Sequence, residues 1–186
     1  TMAIMDKDGN VAVYEVDSLT PTTQSIKYYM EKDTLAAGIQ YYKIFTDSTK
    51  TTQTGRWGLD STGSKQTEVN LVNGLYIYTK TTSETRRDIF EVTGFEDLSE
   101  TNPIRYMIKD GPETDKMQAW KIFDTSDNHI ATWTFNRAGQ KVKSIDKETA
   151  TYPDGTSQEI FTMAIMDKDG NVAVYEVDSL TPTTQS

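Results

Sequence analysis

The chain contains no cysteine and a single histidine among its 186 residues. The lack of cysteine excludes disulfides, thiolate catalysis and cysteine-based zinc sites, and one histidine cannot form a histidine cluster around a metal. No apolar run approaches the roughly 20 residues that a membrane helix requires. We therefore expect no structural zinc site and no membrane insertion.

Positive charge is also in deficit, with 19 Lys and Arg against 28 Asp and Glu and a net charge of −9. Phosphate backbones and anionic lipid surfaces both require clustered Lys and Arg, so neither nucleic acid nor an anionic membrane is an expected partner. The glycine-rich GxGxxG and GxxxxGK patterns are absent, which removes support for a bound nucleotide. We predict no cofactor.

Most of the chain alternates apolar and polar residues between turn signals, the pattern of strands. The 29 Thr and 10 Tyr suit sheet faces. Met2–Val16 predicts a hairpin around Asp8-Gly9-Asn10, because glycine supplies the positive φ of such turns. Asp33–Gln40 is the one short candidate for a helical turn. We predict an all-β fold of antiparallel, hairpin-built barrel or sandwich units. The other predicted strands lie within Ile26–Met30, Tyr41–Phe45, Gly74–Val92, Ile104–Ile108, Trp120–Phe123, Ala131–Phe135 and Val142–Ile145, with hairpin tips at 47–50, 126–129 and 136–139.

The first 25 residues recur without a change at positions 162–186, an offset of 161. A second, divergent repeat relates Ile26–Phe45 to Ile104–Phe123, which align without gaps at an offset of 78. Self-similarity at a fixed period indicates a repeat architecture. The predicted organisation is β unit one over residues 1–75, β unit two over 76–161, and the duplicated hairpin over 162–186.

The exact duplication has three interpretations: a window from a longer array, an engineered duplication, or a polymer subunit with an extra segment. A chain that starts at Thr1 is expected to be processed or excised from something longer. In each case two hairpins can compete for one place, and the unplaced copy exposes an apolar face that recruits partners. The predicted assembly residues are Met2, Ile4, Val11, Val13 and Tyr14 with their counterparts Met163, Ile165, Val172, Val174 and Tyr175.

Several polar residues could bind a metal or take part in catalysis, and each of them also has a purely structural interpretation. Asp6–Asn10 resembles the start of a calcium loop, but its later ligands are missing, so a hairpin turn is favoured. His129 falls in a predicted loop tip without an adjacent nucleophile. An acidic stretch could supply paired catalytic carboxylates, although acidic loops are commonly only solvated. That stretch comprises Glu91, Glu96, Asp97 and Glu100.

Three tryptophans, Trp57, Trp120 and Trp133, stand in strand-like segments together with many tyrosines. Such aromatic side chains can form a ligand platform for a glycan or a small apolar molecule. Aromatic strands more often fill a β core or form cross-strand pairs, which is the favoured interpretation.

Three stretches resemble secreted lipocalin-like (calycin-type) β-barrel domains. Ala131–Gly139, ATWTFNRAG, is similar to their strand-and-turn W-T-F-N-x-x-G, and Thr54–Leu59, TGRWGL, to the Gly-x-Trp that opens the barrel. Val11–Tyr28 is similar to their closing Y-x-V-x-S-L-T-x-T-T segment. The resemblance implies a barrel with a binding, transport or structural role, and the tandem order departs from a single barrel.

Together these patterns predict a non-enzymatic, extracellular or cell-surface β repeat protein with a structural or adhesive role. It is expected to associate with copies of itself, into oligomers or fibres, by strand or hairpin exchange through the duplicated segment. The alternatives are a lipocalin-like module that binds a small ligand or glycan, and an engineered duplicated-segment protein of the two-frame or circular-permutant kind.

Overall fold

The computed structural model describes residues 2–17, 24–47, 49–137 and 139–181. These residues form strands and turns, and no helix among them is long and apolar enough to cross a membrane. The strands are β1 Met2–Met5, β2 Val11–Val16, β3 Gln24–Ala36, β4 Ile39–Phe45, β5 Gln53–Leu59, β6 Lys65–Val72, β7 Leu75–Ser83, β8 Arg86–Val92, β9 Pro103–Lys109, β10 Met117–Phe123, β11 His129–Asn136, β12 Lys141–Thr151, β13 Ser157–Met166 and β14 Val172–Val177.

The prediction of an all-β, antiparallel, hairpin-built fold is confirmed. The strands neighbour one another in sequence order in one sheet, so β1 and β14 are its two ends. The sheet does not close into a barrel, which corrects the expectation of barrel units. The chain divides into two compact units: one holds residues 1–82 and 88–103, the other 83–87 and 104–186. The repeat boundaries at 75 and 161 stay a prediction from the sequence.

Many hairpin turns are formed by an aspartate that binds its own loop. Its carboxylate accepts hydrogen bonds from the backbone N–H groups two and four residues later, which holds the turn without help from the rest of the fold. The pKa of each aspartate is lowered because its charged carboxylate accepts a hydrogen bond from a side chain of the same loop and, to a lesser extent, from these N–H groups. The side-chain donors are Asn10, Thr62, Asn128 and Asn171. The turns of this type start at Asp6, Asp60, Asp124 and Asp167.

The expectation of a helical turn within Asp33–Gln40 is wrong. This segment is the tip of the β3–β4 hairpin, where Ala36 pairs with Ile39 and only two residues connect the strands. Both connecting residues have positive φ, 51° at Ala37 and 80° at Gly38. That conformation is typical of the type I′ turn, whose twist matches the strands on either side.

The fainter repeat is present in the structure, but its strands do not align without a gap. Tyr29 pairs with Phe45 in the first copy, and Tyr106 pairs with Phe123 in the second. The structural offset is therefore 77 between β3 and β9 (106 − 29) and 78 between β4 and β10 (123 − 45). The second copy has one more residue in its connection, which returns equivalent side chains to the same face of the sheet.

Each unit has an apolar cluster built from corresponding strand pairs. In the first unit, Val69 pairs with Tyr78 and packs with Val92, and burial raises the pKa of Tyr78 to about 12. In the second, Ile145 pairs with Met163 in the same way. Met163 belongs to the duplicated segment, so the second copy of the hairpin completes the core of the second unit.

One buried charge fixes the bulged end of β3. The Arg56 side chain is only 7% exposed, and its Nε lies 3.1 Å from Asp33 and 3.2 Å from Glu96. Its Nη2 donates to Thr34 Oγ1 at 3.1 Å, and the guanidinium stacks over the Tyr41 ring at 4.2 Å. Asp33 and Thr34 lie in the irregularity between Lys32 and Leu35. The arginine therefore holds this bulge against β5.

Candidate assembly site

The two copies of the repeated segment fold into the same hairpin. In the first, Met2 pairs with Tyr14 and Met5 with Val11. In the second, every pair recurs 161 positions later, from Met163↔Tyr175 to Met166↔Val172. The predicted hairpin is therefore confirmed in both copies over their described residues, 2–17 and 162–181. Residues 1, 18–23 and 182–186 of the repeat lie outside the described part, as do Ser48 and Ala138 of two predicted tips.

The turn geometry is also repeated. Asp6 accepts from the N–H of Asp8 and of Asn10, each at 2.9 Å, and the Asn10 side-chain amide donates to its other oxygen. Asp167 makes the same three contacts in the second copy, with Asp169 and Asn171. Both carboxylate oxygens are thus used inside the hairpin. Within the described residues, no group of three or more His, Asp or Glu side chains could hold a metal.

In the first copy, the hairpin is held through its second strand. β2 pairs with β3, from Val11↔Met30 to Val16↔Gln24. Asn10 Oδ1 accepts the backbone N–H of Lys32 at 2.9 Å, and Lys27 Nζ lies 3.3 Å from Glu15. These contacts cover β2, and β1 remains at the end of the sheet.

In the second copy, the hairpin is held through its first strand. β13 pairs with β12 over a long ladder, from Lys143↔Ile165 to Thr151↔Ser157. Met163 is fully buried there, and Gln140 Nε2 donates to Met166 Sδ at 3.7 Å. β14 remains at the other end of the sheet. The first copy is thus attached to the rest of the sheet through its second strand, and the second copy through its first strand.

Exposure at matched positions follows this difference. Val13 of β2 is 8% exposed, whereas its counterpart Val174 of β14 is 63% exposed. Val172 is 58% exposed, whereas Val11 is half-buried. On the first strands the order reverses, with Ile4 50% exposed and Ile165 half-buried. The remaining predicted assembly residues, Met2, Tyr14 and Tyr175, are half-buried.

Trp57 and Trp133 occupy equivalent places, a relation that the sequence-based prediction missed. The Trp57 indole N–H donates to Asn70 Oδ1 at 3.2 Å, and the Lys65 ammonium lies 4.0 Å from the ring centre. Tyr28 meets the same indole edge-on, with 5.3 Å between ring centres. This tryptophan is wedged between β3 and β6 side chains.

Trp133 repeats the arrangement in the second unit with different partners. Its indole N–H donates to Asp146 Oδ1 at 2.8 Å, and Lys141 lies 4.6 Å from the ring centre. Arg105, which stands where Tyr28 stands in the first unit, lies 5.4 Å from the ring centre. The motifs that could have signalled this equivalence are TGRWGL in β5 and IATWTF in β11, offset by 76.

Trp120 is buried directly opposite Trp133 on the neighbouring strand. Arg87 lies 4.8 Å from its ring centre and Lys109 5.8 Å. Each of the three indoles therefore has a cationic side chain stacked near its face, as in cross-strand packing of a sheet surface. A ligand platform on these tryptophans stays a prediction.

His129 is the first residue of β11 rather than part of a loop tip, which corrects its predicted position. Its ring centre lies 5.4 Å from that of Phe123, with the two rings tilted by 32°, and Nε2 lies 3.1 Å from Thr132 Oγ1. Burial lowers the pKa of this imidazole. These are the contacts of a histidine packed at a strand end.

The acidic stretch is used in structural contacts. Asp97 accepts from both the N–H and the hydroxyl of Thr93 and from the N–H of Ser99, which holds the pKa of its carboxyl well below the usual range. Glu96 pairs with Arg56, and Glu100 lies 2.5 Å from Lys80 Nζ. Three of the four candidate carboxylates therefore bind different partners.

Comparison of the chain with protein-family models, with curated proteins and with solved structures finds no match. The resemblance to lipocalin-like domains stays a prediction from the sequence.

Proposed function

We propose that this chain is a non-enzymatic structural β repeat module of the cell surface or extracellular space, which assembles with copies of itself through the duplicated hairpin. The observation that carries the proposal is the opposite use of the two copies. One copy is held through β2 and the other through β13, which leaves β1 and β14 at the ends of the sheet. The counterpart of β14 is β2, which pairs with β3, and the counterpart of β1 is β13, which pairs with β12.

An end strand of this kind is a surface for pairing. Among the described residues it pairs with a neighbouring strand on one side only, and an added strand can pair with its other side. Full burial of a valine stabilises by about 1.5–3 kcal/mol, so taking Val174 from 63% exposed to the 8% of Val13 is worth roughly 1 kcal/mol. Apolar side chains at both ends thus favour association.

Four of the ten exposed large apolar residues in the described part of the chain lie on the two copies of the hairpin. Ile4 and Met5 lie at one end of the sheet, and Val172 and Val174 lie at the other. The acidic net charge of −9 opposes nonspecific clustering. Association is therefore expected to depend on strand pairing rather than on nonspecific hydrophobic contacts.

The lipocalin-like alternative requires a closed barrel with an apolar cavity, and the sheet described above is open. A glycan platform would use Trp57 or Trp133, whose rings are accompanied by lysines. Neither alternative has an observation in its favour comparable to the doubled hairpin.

The test is molar mass in solution, measured by light scattering after size exclusion across about a hundredfold dilution, because mass action makes association depend on concentration. We expect multiples of the chain mass that increase with concentration. Deletion of residues 1–17 leaves the β3 edge without its own hairpin and should shift association to lower concentrations. A constant monomer mass at all concentrations would rule out assembly through the hairpin.

A matched control uses one exposed and one buried valine at equivalent positions of the two copies, Val174 and Val13. Val174→Lys places a charge on the end strand β14, and Val13→Lys places it on β2. The first substitution should block association and leave the monomer folded, since charged residues protect strand edges. The second should weaken the pairing of β2 with β3, because Val13 is only 8% exposed.

A further inference from the structure

We propose that β14 of one chain pairs with β3 of a second copy of this chain and takes the place of that copy's own β1–β2 hairpin. This inference rests on the proposed function, since it names the partner and the strand pairing through which the module would assemble. It requires that β14 can make the contacts that β2 makes, and the two strands have the same sequence, VAVYEV.

The register of the new pairing follows from the existing one. β2 pairs with β3 as Val11↔Met30, Ala12↔Tyr29 and Glu15↔Ser25. Adding 161 to each β2 position predicts Val172, Ala173 and Glu176 opposite the same three residues of the second copy. Because successive side chains point to opposite faces of a strand, a slip of one residue would invert every one of them.

Side-chain contacts that mark the place of β2 have ready counterparts on the second hairpin. Asn10 accepts the backbone N–H of Lys32, and Asn171 is the same residue at the same turn position. Glu15 pairs with Lys27, and Glu176 corresponds to Glu15. The β14 hairpin therefore brings the full set of groups that β3 recognises.

The first copy of the hairpin is the one expected to dissociate from β3. β1 has four residues, and Ile4 and Met5 are half or more exposed. β13 has ten residues, pairs with β12 along most of its length and buries Met163 completely. The second copy thus stays attached to its own chain when β14 pairs outward.

This geometry leaves the second chain's β14 available to a third chain. The contact joins two different surfaces, β14 on one chain and β3 on the next, so it is heterologous and grows in one direction unless it closes into a ring. The occupant of the β3 edge is then always a copy of the same hairpin, either the chain's own or its neighbour's.

The test uses the natural lack of cysteine in the full-length chain. One preparation carries Glu176→Cys and the other carries Ser25→Cys, both at exposed positions. Directly opposed residues on antiparallel strands bring their Cβ atoms close enough for a disulfide. Mixing the two variants under mild oxidation should give a disulfide-linked dimer of unlike chains, joined through positions 176 and 25 and identified by peptide mass.

Three controls define the result. Glu15→Cys with Ser25→Cys in one chain should close an internal disulfide, which shows that the register permits the bond. Lys65→Cys replaces Ser25→Cys as an exposed thiol on another strand and should not crosslink to the Glu176→Cys variant. Ala173→Cys mixed with Tyr29→Cys tests the same register at a second place.

The outcomes separate this inference from the function it rests on. A crosslink between positions 176 and 25 or between positions 173 and 29, without one to position 65, supports hairpin exchange. Oligomers in light scattering without either crosslink would overturn the exchange but leave assembly standing. A monomer at every concentration, with no crosslink, would overturn both.

Discussion

The duplicated hairpin offers a stability experiment with its own internal control. Val13 and Val174 have the same sequence neighbours, but β3 covers the first and nothing in the described residues covers the second. Truncation of each valine to alanine removes two carbon atoms. At about 0.8 kcal/mol for each buried methylene-sized group, Val13→Ala should cost roughly 1.5 kcal/mol. Val174→Ala, at 63% exposure, should change stability by less than about 0.5 kcal/mol.

For the methionines of the same hairpin, truncation is expected to cost more stability in the second copy than in the first. Met163 is fully buried against Ile145, whereas Met2 is half-buried at the end of the sheet. Met163→Ala should cost about 2–5 kcal/mol, as expected for a buried methionine, and Met2→Ala clearly less. The most sensitive position is therefore on the second strand in one copy and on the first strand in the other.

The assay is urea unfolding at a concentration where the chain is monomeric, followed by circular dichroism. Hydrogen exchange of peptides from β3 and β12 then assigns each loss to its unit. Equal effects of Val13→Ala and Val174→Ala, or a larger effect of Met2→Ala than of Met163→Ala, would refute the proposed difference between the copies. At high concentration the effects of Val13→Ala and Val174→Ala should become more alike if exchange occurs, because β14 then occupies the place of β2.

Other consequences follow from single contacts. Arg56→Ala should destabilise by about 3 kcal/mol in urea unfolding, because it leaves the Asp33 carboxylate without its buried partner, whereas Glu96→Gln, at an exposed partner, should cost less than about 1 kcal/mol. Gly58→Ala should lower the free energy of unfolding by about 1–3 kcal/mol, because the added Cβ would lie 2.3 Å from Thr67 Oγ1 and 2.6 Å from Ile39 Cγ2. Thermal unfolding measures the effect, and Gly94→Ala, at a glycine with open space around it, is the control. The lowered pKa of Asp97 means that its contribution to stability is complete above the usual aspartate pKa and is lost as the pH falls toward its folded value. Asp97→Asn should therefore flatten the decline in stability between about pH 5 and about pH 2, and an unchanged acid profile would contradict its role in the Thr93 loop.

At the candidate site, the hairpin itself could be predicted from the sequence, but its burial could not. The repeated hairpin could be predicted because its turn is local: Asp6 and Asn10 bind each other in either copy. The same locality makes the two copies indistinguishable in sequence. Only the neighbouring strands, β3 for one copy and β12 for the other, make the difference between a covered Val13 and an exposed Val174.

Long-range pairing also accounts for the errors of prediction. Asp33–Gln40 has a composition that allows a helical turn, but pairing of β3 with β4 and the contact of Asp33 with Arg56 hold it extended. The gapless repeat misplaces β9 by one residue, because ladder register depends on the partner strand and a shift of one residue has little signature in sequence.

The all-β class, most hairpin positions and the exact duplication can be read from the residues alone, since alternation and turn chemistry act over a few positions. The open sheet and the equivalent places of Trp57 and Trp133 emerge only when the strands are paired. The same is true of which strand of each hairpin is covered. These features depend on strands far apart in the chain, and the free energy of pairing them is not encoded within any single segment.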